Sequence, residues 1–320
     1  MTKLLKHMAF AITMGLGCTM ALAAYPDKPV NIVVPFGAGS ATDTLARALA
    51  QPLSEKWGQS VTVDNKPGAG GAIGASYVAR SNPDGYTLLM GTNGPMAANP
   101  SLYKSLTYDP VKDFAPVALM GRLPMVLITN KDTKPKDVRE LIDFARVNPG
   151  KLNFGASNTT ARVWVELLKQ MADIEVATVL YSNVGSMMTD LISGRITYAF
   201  ENVGPSVSQI SSGTVKALAV TTAERAAFSP NTPTIAEHGL DKHQLVVWFA
   251  MFAPRDTPQN IIDTINKTAN EVLKSDKVKQ VSAQIGMAPA AGTDKDLGNY
   301  QQSEIKKWHE LVELTGVTIN

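Results

Sequence analysis

Val30-Asn31-Ile32-Val33-Val34-Pro35-Phe36-Gly37-Ala38-Gly39-Ser40-Ala41-Thr42-Asp43-Thr44-Leu45-Ala46-Arg47 decides the fold class. An apolar run ends at Pro35 and a glycine pair, after which Leu45, Leu49 and Leu53 recur every four residues and give a helix one apolar face. The stretch therefore reads strand, turn, helix. Gly37 and Gly39 let the backbone bend and approach a ligand closely, and Ser40 and Thr42 can cap the helix or donate hydroxyls. Amides at such a helix start can hold an anion, and a carboxylate would fit.

The same alternation continues along the chain. Further strands are expected at 61–63, 87–90, 117–120, 125–129, 152–154, 178–181, 197–200, 217–220 and 245–253, with helices at 72–80, 136–147, 161–172, 186–192, 258–274, 277–285 and 295–314. This order predicts an α/β fold with substantial parallel sheet. Two more loops, 65–74 and 91–95, are rich in glycine and each follows an expected strand, so three such loops lie on one sheet edge. In open α/β sheets the carboxyl ends of parallel strands form the ligand crevice. The last three helices form an all-α tail whose Ile261, Ile262, Ile265, Ala269, Val272 and Leu273 repeat at three and four residues, a pattern for packing rather than chemistry.

The first 23 residues read as a secretory signal peptide. Lys3 and Lys6 give a basic start, 8–20 is largely apolar, and Ala21-Leu22-Ala23 has the small residues of a cleavage site. A lipid-carrying Cys18 is the second reading, weakened by the imperfect Gly15-Leu16-Gly17 before it. Removal of the leader leaves 297 of the 320 residues, enough for two lobes, and takes away the only cysteine. Lys3 and Lys6 account for the whole formal charge of +2, so the rest of the chain is balanced and lacks the basic footprint of a nucleic-acid binder.

Enzyme signatures fit poorly. Gly37-Ala38-Gly39 begins like a dinucleotide fingerprint, but Thr42 stands where the third glycine belongs, and no Walker sequence, Gly-x-Ser-x-Gly elbow or His-Glu-x-x-His motif occurs. No cofactor or metal is expected. His238, His243 and His309 sit in a turn or among polar residues. Asp43, four residues before Arg47, is most simply a first-turn acid paired with that arginine.

Tyr25-Pro26-Asp27-Lys28-Pro29-Val30, Pro35-Phe36 with Thr42-Asp43-Thr44-Leu45-Ala46-Arg47, Val63-Asp64-Asn65-Lys66-Pro67-Gly68-Ala69-Gly70-Gly71 and Ser81-Asn82-Pro83-Asp84-Gly85-Tyr86 together resemble the tripartite tricarboxylate transporter substrate-binding proteins, or Bug receptors. The likeness continues through 106–117, Asp190-Leu191-Ile192-Ser193-Gly194-Arg195-Ile196 and Ala253-Pro254 with Thr257-Pro258. It implies a monomeric, periplasmic, two-lobed α/β binding protein of the Venus flytrap type, similar to type II folds, that takes an organic carboxylate in a cleft and delivers it to a permease with a large and a small membrane subunit. Lobe 1 would comprise 24–123 and 248–320, and lobe 2 residues 124–247.

Carried over residue by residue, the resemblance implies ligand contacts from Phe36, Gly37, Ala38, Gly39, Ser40, Ala41, Thr42 and Asp43, with Thr92 and Asn93 nearby, in lobe 1. In lobe 2 it implies Ser157, Asn158, Thr159, Thr160, the segment from Asn183 to Ser186, Glu201 and Asn202. The chain departs from the family where Pro-Gly-Gly is usual, where Ser157–Thr160 replaces a glycine-rich turn, and where Arg162 stands in place of a common histidine. Arg162 could reach a second carboxylate or pair with Glu166, and Glu201 could select a ligand cation or orient Asn202. The rival reading is a secreted hydrolase or isomerase using Asp43 or Glu201.

Overall fold

The structure is a computed structural model that describes residues 25–181, 183–226, 229–240 and 245–319. The expected leader, Cys18 and His243 lie outside those residues. In chain order the elements are β1 (Val30–Val34), α1 (Ala41–Trp57), β2 (Val61–Asn65), α2 (Ala72–Ala79), β3 (Thr87–Thr92), α3 (Asn99–Leu102), β4 (Phe114–Leu123), β5 (Met125–Asn130), α4 (Val138–Val147), β6 (Asn153–Ala156) and α5 (Thr159–Ala172). They continue with β7 (Ala177–Leu180), α6 (Val184–Ile192), β8 (Tyr198–Asn202), α7 (Val203–Ser211), β9 (Val215–Val220), β10 (Val247–Pro254), α8 (Gln259–Val272), α9 (Asp276–Ile285), β11 (Ala288–Pro289) and α10 (Asp294–Thr315).

The strands form two sheets, ordered β11-β4-β10-β3-β1-β2 and β7-β6-β8-β5-β9. Parallel pairing holds for β1 with β2 and β3, and for β6 with β7 and β8. The expected substantial parallel pairing is present in both sheets, and beside it β10 runs antiparallel to β3 and β4, and β5 antiparallel to β8 and β9. The reason is the route of the chain: β4 passes through Pro124 straight into β5 of the other sheet, and β10 brings the chain back, so neither joint has a helical crossover to impose parallel direction.

Burial follows from this path. Every residue of β10 is buried, with Trp248 and Phe252 filling the first core. In the second, Trp164 of α5 stacks on Phe200 with ring centroids 5.5 Å apart, and Phe154 stacks on Tyr198 at 5.1 Å. The tail helices α8 and α10 cover β4 while α9 packs on α1 and α7. Helix α7 lies where the sequence periodicity predicts none. Pro205 falls in its first turn, where a missing N–H costs nothing, and Gly204 and Pro205 hide the pattern. Among the described residues no helix is long and apolar enough to cross a membrane.

A cleft lined by helix starts

A cleft of about 490 Å³ opens between the two sheets, a size suited to a small molecule. Its walls include Phe36, Ser40, Ala41, Thr42, Thr92 and Asn93 from the end of β3, the loops after β1 and β3 and the start of α1, and Ser157, Asn158, Thr159, Thr160 and Asn202 from the loop after β6, the start of α5 and the end of β8. Those eleven were expected from the sequence.

Local capping explains what these loops present. The Ser40 side chain accepts from the Asp43 N–H (3.2 Å), and Asn158 Oδ1 accepts from the Ala161 N–H (2.9 Å). Each cap satisfies the third residue of its helix and leaves the first two N–H groups, of Ala41 and Thr42 in α1 and of Thr159 and Thr160 in α5, without an intrahelical acceptor. All four residues line the cleft. A third start, that of α6, is capped by Asn183, whose Oδ1 accepts from the Ser186 N–H (2.9 Å), and Val184 reaches the cleft. The two halves also touch: the buried Asn93 Nδ2 donates to Thr160 Oγ1 at 2.9 Å.

Among the described residues no side chain bearing a charge lines this space. An anion inside would be met by backbone N–H groups, hydroxyls and the positive ends of helices. The remaining walls are apolar, from Phe36, Val184, Val247, Phe249 and Ile319, with Tyr103 beside them. Asn202 Oδ1 is buried and has no hydrogen-bond partner among the described residues, so this end of the cleft also holds an unused acceptor.

Several expected contacts lie elsewhere. Gly37, Ala38 and Gly39 are exposed outside the cleft, and the Gly39 N–H donates to Asp43 Oδ2 at 2.9 Å rather than toward it. Asp43 sits behind the loop, almost fully buried, and also accepts from Arg47 Nε (3.0 Å) and Asn65 Nδ2 (2.9 Å). Burial raises its carboxyl, but the Arg47, Gly39 and Asn65 donors outweigh it and hold the group below the ordinary aspartate value. Asn183 and Ser186 are exposed at the start of α6 and do not line the cleft.

Arg162 is likewise corrected. Its Nη1 donates to the Thr318 carbonyl at 3.2 Å, and Glu166 pairs with Lys169 (2.8 Å) and Thr178 instead. Glu201 is 0% exposed and lies beneath the cleft wall, accepting from Ser157 Oγ and from the Asn202 N–H (2.7 Å). Burial pushes its carboxyl up to about 7 against the pull of those two donors.

Val184, inside the expected 183–186 segment, lines the cleft, and Gly70, Gly94, Tyr103, Val247, Phe249 and Ile319 line it without having been singled out as contacts. Gly70 and Gly94 belong to the two glycine loops that the sequence places on this edge. Gly70 has a φ of +59°, and a Cβ there would meet the Tyr103 hydroxyl at 2.7 Å, so glycine is required on both counts. Tyr103 and Ile319 meet through a parallel bridge between distant segments, which no local pattern announces.

The family model of the tripartite tricarboxylate transporter family receptor matches residues 45–317. Protein BugT of Bordetella pertussis is 34% identical over 323 residues, covering 100% of this chain and 99% of that protein. A solved R. palustris protein, Rpa4515 with adipate, is 37% identical with a TM-score of 0.85, covering 92% of this chain and 99% of its own. MatC from Rhodopseudomonas palustris with bound malate is 31% identical with a TM-score of 0.81, covering 90% and 100%. With its two-lobed architecture and the family model spanning most of its length, this chain belongs to the tripartite tricarboxylate transporter receptor family.

Proposed function

We propose that this protein is a periplasmic receptor that closes on an organic carboxylate between its two halves, 24–123 with 248–320 and 124–247, and hands it as a monomer to a two-subunit membrane permease. The observation that carries the reading is the pairing of two helix starts from opposite sheets, each offering two uncapped N–H groups to one uncharged cleft. Charge-assisted hydrogen bonds contribute about 1.5–3 kcal/mol each, and several are needed to offset the water a carboxylate loses.

The adipate and malate held by solved relatives support an acid of similar size, with the apolar walls favouring a hydrocarbon body. The enzyme reading lacks a reachable base. Asp43 is committed to three donors behind the loop, and Glu201 has no surface in the cleft.

Thermal denaturation with malate, adipate, succinate, citrate, glutamate and benzoate tests the proposal. An acid at a hundred times its Kd adds about 2.7 kcal/mol, roughly 5 °C in Tm for a chain of this size. Mass spectrometry after incubation should recover that acid unchanged. No stabilisation by any acid, or conversion of one, refutes it.

A further inference from the structure

Among the described residues Glu201 is the one buried carboxyl in the second half with neither a cation beside it nor a surface in the cleft, yet it touches residues that line the cleft. Its Oε2 meets Ser157 Oγ, its Oε1 accepts the Asn202 N–H at 2.7 Å, and both Ser157 and Asn202 line the cleft. We propose that Glu201 is a positioning residue whose protonation decides whether Ser157 can donate its hydroxyl hydrogen to a bound carboxylate. The inference rests on the carboxylate reading above.

When Glu201 is ionised it can only accept, so the Ser157 hydroxyl must donate to Oε2 and shows lone pairs to the cleft. When Glu201 takes a proton from solvent, its own O–H donates to Ser157 Oγ, and the serine hydrogen turns outward to the acid. The second state also removes a negative charge from behind an anion site. Ser157 Oγ keeps room for the long contact from Asn158 Nδ2 at 3.5 Å in either state.

Among the described residues no other charge competes for Glu201. Strand β8 is packed by β5, β6, α5, α6 and α7. β5, β6 and α7 contain no charged residue. On α5, Arg162 is bound to Thr318 and Glu166 to Lys169, and on α6 Asp190 is engaged by Arg195 (3.0 Å) and Tyr181 (2.9 Å). Tyr198 on β8 itself is three residues away and faces the opposite side of the sheet. Burial without a countercharge favours the neutral acid and brings its titration to about 7, within reach of ordinary pH.

Binding of adipate and malate by calorimetry from about pH 6 to about pH 8.5, in buffers of different ionisation enthalpy, reads the coupling. For the wild type we expect affinity to fall about tenfold between about pH 6 and about pH 8, with up to one proton taken up per acid bound on the alkaline side. Glu201→Gln keeps an N–H to donate to Ser157 Oγ and an oxygen for the Asn202 N–H, so its affinity should be flat with pH and its proton uptake nil. Ser157→Ala should lose about tenfold in affinity at about pH 6 and much of the pH slope, a second reading should the glutamine variant fold poorly.

Without any acid present, the infrared carboxylic C=O band missing from Glu201→Gln should titrate near neutrality in the wild type. A midpoint below about pH 5, or wild-type binding that is flat with pH and takes up no proton, overturns the inference alone. Failure of both acids to bind wild type and Glu201→Gln at every pH overturns the carboxylate reading and the inference with it.

Discussion

Replacing Asp43 by Asn keeps the shape of the side chain and removes only its charge and one acceptor, which makes it the sharpest probe of the first cleft loop. The carboxylate takes hydrogen bonds from the Gly39 N–H (2.9 Å), Asn65 Nδ2 (2.9 Å) and Arg47 Nε (3.0 Å). The amide has one oxygen for these three donors, and its NH2 must face either Gly39 or Asn65. Arg47 is half exposed and turns to water at little cost. The two remaining donors are worse served, one by losing a charged acceptor and one by facing another donor, which together costs about 2–3 kcal/mol. Urea unfolding should therefore show a lower midpoint at unchanged slope, and Tm should fall by roughly 4–6 °C.

The sign with pH follows from the depressed native carboxyl. The stabilisation is present above the unfolded aspartate value of about 3.9 and is lost as pH falls through the lower native one, so the gap between wild type and Asp43→Asn should stay constant near neutrality and close in acid. A double-mutant cycle with Asn65→Ala should return a coupling of at least about 1 kcal/mol. A loss under about 0.5 kcal/mol, or strict additivity with Asn65→Ala, refutes the claim that Asp43 is the anchor of this loop.

Asn93→Ala removes the buried bond to Thr160 that joins the two halves, and it should weaken acid binding by about three- to tenfold while leaving the ligand-free fold within about 1 kcal/mol of wild type; calorimetry and urea unfolding decide. Arg162→Ala should leave the affinities for adipate and for benzoate within about twofold of wild type, because the guanidinium rests on the Thr318 carbonyl and not in the cleft. A selective loss of the diacid would restore the arginine to the ligand.

What the sequence made legible was what depends on near neighbours. β1 and the start of α1 fall where the apolar run, the glycines and the leucine spacing put them, and Ser40 and Asn158 cap their helices as their residue types predict. The convergence of three glycine loops was also readable, since it needs only strand order and the carboxyl-end rule. What escaped depends on partners far along the chain. Nothing local says that the Gly39 N–H turns back to Asp43, that Arg162 reaches a carbonyl 156 residues away, or that Ile319 joins Tyr103 at the cleft wall. Glu201 was placed correctly at a strand end, but its register opposite Val126 seals it beneath Ser157, and one residue of shift along the strand separates a wall residue from a buried one.

Among the described residues no charged side chain lines the cleft, and this bears on how the proposed closure would be driven. On the proposed reading, an acid held by the four N–H groups at the starts of α1 and α5 would find half of its donors on each side, so neither half alone would satisfy it and the closed form would be the one the acid stabilises. The Asn93–Thr160 bond acts in the same direction but contributes only about 1 kcal/mol, less than the roughly 5.5 kcal/mol of differential affinity needed to carry a population from mostly open to mostly closed. On that reading the latch sets a bias and the acid supplies the switch. Because those N–H donors are indifferent to what the carboxylate is attached to, the proposed reading leaves discrimination among acids to the cleft walls formed by Phe36, Tyr103, Val184, Val247, Phe249 and Ile319.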